Sequence, residues 1–124
     1  MKSDECVNVF KVLADPTRVR ILRLLTVKSL CVCEVMSIIG MAQSTTSKHL
    51  RMLRDVGLIE DQPGSIWTVY RITAPLPAHL DGILKFIKST EESALTTRDT
   101  SRARSADRNR LCTKKNVTRL MRKR

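Results

Sequence analysis

Residues 66–72 place Ile66, Thr68, Tyr70 and Ile72 in alternation with Trp67, Val69 and Arg71, which is the two-residue period of a strand. Elsewhere the apolar residues recur at helical spacing. One strand signal inside a helical chain leaves few architectures open, because a strand must pair with something. The stretch "QPGS" at 62–65 supplies a turn just before it, so residues 58–72 are expected to form a β-hairpin. A sandwich, a barrel or a βαβ sheet would need further strands.

The helices can be placed from their punctuation. Residues 4–14 put Cys6, Phe10, Leu13 and Ala14 on one stripe, with Ser3 able to cap the start. Asp15 is an N-cap residue, and Pro16 suits the first helical position that follows. In that second helix Val19, Leu22 and Leu25 with Val27 line the inner face, Ile21 and Leu24 widen it, and Arg18, Arg20 and Arg23 fall outside. A third helix over about 31–39 stops at Gly40, and a fourth from Ser44 stops at Gly57. Beyond Pro75 and Pro77, a last helix at about 78–92 carries Leu80, Ile83, Leu84 and Ile87 on one face.

Four helices, a hairpin and a fifth helix, with a tight Gly-containing turn between the third and fourth, make a mainly α winged helix-turn-helix. That fold binds duplex DNA. The 124 residues suffice for one domain, which we place at 1–92. Of the net charge of +11, residues 98–124 supply +9, from eleven Lys and Arg against Asp99 and Asp107. From about 93 onward Ser, Thr, Arg and Asp dominate and apolar periodicity fails, so 93–124 is expected to be a disordered basic tail. It either adds phosphate contacts or is a solvated extension.

No apolar run approaches the ~20 residues that span a bilayer, and the N-terminus lacks the long apolar core of a secretory signal. The expected setting is the cytoplasm, with no membrane partner. There Cys6, Cys31, Cys33 and Cys112 are expected as reduced thiols. Their spacing is neither a zinc finger nor a redox C-x-x-C. No Gly-rich phosphate loop or Ser/His/Asp set is present, so the chain is read as a binding protein that needs no organic cofactor, and not as an enzyme.

In the fourth helix Thr46, Leu50 and Leu53 share a buried face. Ser44, Thr45, Ser47, Lys48 and Arg51 look outward, with Gln43 at the entrance. Short hydroxyl side chains allow close approach to a major groove, Gln43 can pair with an adenine edge, and Lys48 and Arg51 can meet phosphates. The alternative is a solvated Ser/Thr-rich face. His49 is read as half-buried or a phosphate contact rather than a metal ligand, since no second His or acid lies one turn away. Arg71 can help the wing only if it faces DNA. A helix-turn-helix of this size reads a short half-site, so a symmetric homodimer is expected. The apolar faces of the first and last helices offer the surface for it.

The segments "LADPTRVRILRLL", "LCVCE", "QSTTSKHLRMLRDVGLI" and "WTVYRI", in this order over roughly residues 7–90, resemble the ArsR/SmtB family of winged-helix repressors. The "LCVC" followed by an acid is similar to the arsenite-responsive members. That resemblance implies a homodimeric repressor of operator DNA, released when As(III) or Sb(III) is bound by thiolates, with Gln43, Ser44, Thr45, Ser47 and Lys48 at the recognition positions. The cadmium/lead-sensing branch carries the same tetrapeptide, so a Cd(II)/Pb(II) sensor is the alternative, as is a thiol redox regulator.

As(III) is a soft centre that takes about three thiolates. Residues i and i+2 of an ideal helix lie about 200° apart, so Cys31 and Cys33 can share an ion only where the first turn is distorted. Ligation is thereby coupled to deformation of the helix. The competing possibility is one buried and one exposed inert cysteine. Where many arsenite sensors have a third cysteine, this chain has Met36, a core filler. A third sulfur would come from Cys6, otherwise a small core residue, or from Cys112. The last helix has His79 and Asp81 but no second His, which does not suit a zinc or nickel site there.

Overall fold

The computed structural model describes residues 2–63, 68–90 and 93–106. In chain order they form α1 (Ser3–Leu13), α2 (Pro16–Val27), β1 (Leu30–Cys31), α3 (Val32–Ile39), α4 (Gln43–Asp55), β2 (Ile59–Pro63), β3 (Thr68–Ile72), α5 (Ala78–Ser89) and α6 (Ala94–Ser105). This is a winged helix-turn-helix, as the order of helix and strand signals predicts. None of the described helices is long and apolar enough to cross a membrane.

The helix ends have local causes. Asp15 accepts the backbone N–H groups of Thr17 (2.8 Å) and Arg18 (3.2 Å), which are donors that the first turn cannot satisfy internally. Gly40 stops α3 in the left-handed conformation at φ +80°, its N–H bonded to the Met36 carbonyl. Gly57 does the same after α4 at φ +87°. There the N–H groups of Gly57 and Leu58 reach back to the carbonyls of Arg54 and Leu53, the paired bonds of a Schellman ending.

The core gathers Ile21, Leu22, Leu24 and Leu25 of α2 against Leu30, Val35, Ile38, Leu50, Leu53 and Leu58. Each fully buried Leu or Ile contributes about 1.5–3 kcal/mol of transfer free energy, so α2 is the element on which the others are assembled. Strands β2 and β3 pair antiparallel, with Ile59 opposite Ile72 and Glu60 opposite Arg71. The turn of that hairpin, 64–67, lies outside the described residues.

Several expectations need correction. The sheet has three strands in the order β1-β3-β2, because Leu30 and Cys31 pair with Tyr70 and Val69. A two-residue strand is too short to show a period. Lys2, not Ser3, is the N-cap of α1, and the buried residues of that helix are Val9 and Val12. Cys6 and Phe10, expected on the inner stripe, are exposed, Phe10 at 62%. Apolar residues occupy both sides of α1, and its inner face is the one presented to α2.

The expected disorder from residue 93 fails over 94–105, where α6 forms. Ser93 caps it by accepting the Thr96 N–H, and it packs on α2 and α3. Its buried residues are Asp99, Thr100 and Ala103, and its one large apolar side chain, Leu95 beside Leu13 and Val19, remains 39% exposed. What docks it is an ion pair: the Arg20 guanidinium donates to both carboxylate oxygens of Asp99, at 2.8 and 3.2 Å. Residues 107–124, with the rest of the expected tail, lie outside the described residues.

The three α2 arginines read as outward-facing are thus fastenings. Arg20 holds α6. Arg23 donates to the carbonyls of Ile87 (2.7 Å) and Thr90 (3.1 Å), and to the Thr90 hydroxyl, where α5 ends. Arg18 closes the α1–α2 corner, described next.

Candidate functional site

Helix α4 presents the outward face that its sequence predicts. Ser44, Thr45, Lys48 and Arg51 are exposed, and Gln43 and Ser47 are half-buried. Opposite them Thr46, Leu50 and Leu53 are buried. The N-cap is Ala42, so Ser44 sits in the first turn and its hydroxyl stays on the outer face. A helix with small hydroxyls, an amide and two cations along one side can enter a major groove closely and meet phosphates at its edges.

One guanidinium ties the flank of α4 to the α1–α2 corner, beside the core packing of Leu50 and Leu53. Arg18 Nε donates to the Val12 carbonyl at 2.6 Å, Nη2 to the Lys11 carbonyl at 3.4 Å, and Nη1 lies 3.4 Å from both His49 Nδ1 and Met52 Sδ. The end of α1, the start of α2 and the flank of α4 are joined there, with Asp15 3.8 Å from Nη1. Because arginine can only donate, His49 Nδ1 must accept, so the imidazole is neutral with its proton on Nε2.

Burial holds the His49 pKa below its ordinary 6.5, Arg18 and Lys48 push the same way, and Asp15 opposes them. The folded chain therefore binds fewer protons here than the unfolded chain as pH falls below 6.5, and stability is lost in that range. Burial works to raise the Asp15 pKa, but N–H bonds from Arg18 and Thr17 outweigh it and leave it below 3.8, so its contribution is lost only at lower pH. We expect His49→Gln, which keeps an acceptor for Arg18, to flatten the loss of stability between about pH 7 and 5 seen in urea titrations of the parent.

The wing's polar side chains are tied to one another. Arg71 Nε donates to Glu60 Oε1 at 2.6 Å, across the β2–β3 pair, and Arg54 bridges from α4 to Asp61 at 3.5 Å. Arg71 is accordingly a strand-pairing residue here.

The two neighbouring cysteines fall at a junction. Cys31 ends β1 and is the N-cap of α3, in extended conformation at φ −87°, ψ 168°. It is therefore already outside the helix, which was expected to begin with it. Its N–H donates to Glu34 Oε1 at 2.9 Å. The Cys31 sulfur in turn faces the Glu34 N–H, completing a capping box with cysteine in the usual Ser/Thr place. Glu34 is completely buried, as is Cys31, and Cys33 is 5% exposed in the first turn. Sequence reasoning treated Glu34 only as an acid after the cysteines; its spacing of three from Cys31 was the available signal.

Cys6 is an exposed thiol on α1, remote in sequence from this junction. Cys112 lies outside the described residues. Met36 is 3% exposed and is a core residue of α3. Among the described residues no group of three or more His, Cys, Asp or Glu side chains is placed to hold a metal ion. His79 is exposed at the start of α5, and Asp81 pairs with Lys85 at 2.9 Å.

Residues 15–61 match the profile of the arsR family of bacterial regulatory proteins. The chain is 35% identical over 89 residues to the arsenic resistance transcriptional regulator ArsR1 of Pseudomonas putida, covering 71% of this chain and 70% of that one. It is 38% identical over 73 residues to the arsenical resistance operon repressor of Escherichia coli, covering 58% of this chain and 62% of that one. Among solved structures, the homodimeric winged helix-turn-helix DNA-binding domain of Mb0332 from Mycobacterium bovis superposes with a TM-score of 0.60 at 27% identity, over 68% of this chain and 76% of that one.

Proposed function

Because the chain belongs to the arsR family of bacterial regulatory proteins, whose fold is that of DNA-binding transcription regulators rather than enzymes, we propose that it represses transcription by binding operator DNA as a homodimer. It is released when As(III) or Sb(III) is bound by the thiolates of Cys31 and Cys33. Gln43, Ser44, Thr45 and Ser47 read base edges, and Lys48 and Arg51 hold phosphates. Salt-dependent affinity follows from those two cations.

The observation that carries the inducible part is the double membership of Cys31. It is the last residue of a strand paired to the wing and the cap of the first helix of the helix-turn-helix. Cys31 and Cys33 fit a soft, thiophilic inducer: both are sulfur donors, and they adjoin along the chain at a point where one is already non-helical. Drawing the Cys31 sulfur to an ion shared with Cys33 costs the Cys31–Glu34 bond and strains the β1–β3 pairs. α3 and the wing then move together, and α4 follows α3. A coupling of 1–3 kcal/mol, the usual allosteric range, weakens DNA binding by about 5–150-fold.

The dimer uses the apolar surface left over from the core. Val7 (46% exposed) and Phe10 (62%) on α1 and Phe86 (70%) on α5 are large side chains left substantially exposed among the described residues. The third sulfur is Cys6, exposed on that same α1, or Cys112.

The test is release from an operator duplex selected from a random-sequence pool. Arsenite and antimonite at micromolar concentration should dissociate the complex, while Zn(II) should not. Release by Cd(II) or Pb(II) alone would transfer the chain to that class of sensor. Release by peroxide without any metal would make the cysteines a redox switch.

A further inference from the structure

Helix α6 has a charge pattern that its docking does not explain. Its only acid, Asp99, is turned inward, 2% exposed, and neutralised by Arg20. Its outward side carries Arg98, Ser101, Arg102 and Ser105, and its flank toward Thr26 and Lys88 carries Arg104, all five exposed. None of the three arginines forms an ion pair among the described residues. Three such guanidinium groups interleaved with small hydroxyls form a surface with no compensating carboxylate among those residues.

Its position is fixed at its middle and at its C-terminal end. Arg20 grips the middle of α6 from α2, and Lys28 Nζ donates to the Ala106 carbonyl at 2.7 Å where α6 ends. Lys28 lies on the link from α2 to β1, the strand paired to the wing. α6 also packs on α3, the first helix of the helix-turn-helix, which in this geometry crosses the DNA backbone. The helix therefore packs against the first helix of the helix-turn-helix, with its C-terminal end tied to the link that enters β1. From its end the sequence runs on through eight Lys and Arg against one acid, Asp107, over residues 107–124.

We infer that α6 is a second DNA-contacting surface, which grips the phosphates of the duplex flanking the half-site read by α4. Arginine forks and short hydroxyls are suited to phosphate oxygens and carry no base readout. A membrane surface is the poorer fit, since α6 exposes a single large apolar residue, Leu95, a turn before Arg98, and none between the arginines to enter the lipid. The grip adds affinity and residence time without changing which sequence is chosen. It rests on the reading of the chain as a DNA-binding repressor.

The test compares the full chain with its Arg98→Ala/Arg102→Ala/Arg104→Ala variant on a fluorescein-labelled nonspecific duplex, by anisotropy across a series of salt concentrations. Each phosphate that the variant leaves unneutralised should lower the slope of log affinity against log salt by about 0.9, so its slope should be shallower by roughly one to three. The same variant should keep the parent's ranking of operator over nonspecific duplex. A parental slope overturns the inference, whether or not the variant loses binding to phosphatidylglycerol vesicles. If the parent binds no duplex at all, the repressor reading falls first; if the parent binds and only the slope is unmoved, α6 alone is misassigned.

Discussion

Cys31→Ser and Cys33→Ser proteins should bind the operator duplex with the parent's affinity and remain on it in arsenite that dissociates the parent. The expected contrast is large: about 5–150-fold weakening for the parent, from the usual range of allosteric coupling, and no change for either variant. The first substitution suits its position. Cys31 is an N-cap in extended conformation, and serine is among the preferred residues there, its oxygen accepting the Glu34 N–H that the sulfur now faces. Cys33 lies in the first helical turn at 5% exposure, where a buried serine hydroxyl costs up to about 1–3 kcal/mol of stability, so operator affinity and not stability is the readout. A variant that still dissociates as the parent does would show that the inducer is held elsewhere.

The second large effect concerns the arginine that holds α6. Arg20→Ala leaves the Asp99 carboxylate, whose side chain is 3% exposed, without the cation that neutralises it. Breaking a buried pair from one side costs about 3–5 kcal/mol, because an uncompensated charge remains. α6 can relieve part of that by leaving α2, so we expect about 3 kcal/mol, with loss of helical ellipticity from its 12 residues. Replacing both partners, as Arg20→Met with Asp99→Leu, should return stability to within about 1 kcal/mol of the parent, since apolar pairs of similar volume often substitute without loss. Urea titrations of the two singles and the double form the cycle that decides it. A single variant as stable as the parent would mean that α6 is held by other contacts.

Much of this architecture can be read from the chain, and the exceptions have identifiable causes. The alternation at 68–72 and the glycines at 40 and 57 are strong local signals, and the structure places β3 and the ends of α3 and α4 accordingly. The face of α4 was legible because burying Thr46, Leu50 and Leu53 forces Ser44, Thr45, Lys48 and Arg51 outward. Helix α6 was not. Its inner side is Asp99, Thr100 and Ala103, so no apolar period exists to be found, and its anchor is a pairing with Arg20, 79 residues away in sequence. For α1 the pattern was ambiguous, since Cys6 and Phe10 on one side compete with Val9 and Val12 on another. At the thiol site both cysteines stood out in sequence. What stayed hidden was the backbone role of Cys31, because the strand it ends is set by its partner Val69 and not by its own neighbours.

The guanidinium of Arg18 has a bearing on how two copies would address one operator in the proposed function. It rivets the carboxyl end of α1 to the flank of α4 through Val12, Lys11, His49 and Met52. In a twofold pair assembled through α1, the separation of the two α4 helices would then depend on this planar group together with the packing of α4 on α2 and α3. Lysine there, a lone ammonium on a pliant stem, could reach one of those partners at a time. On the proposed reading, the pitch at which such a pair would straddle the double helix is gauged in part by this side chain.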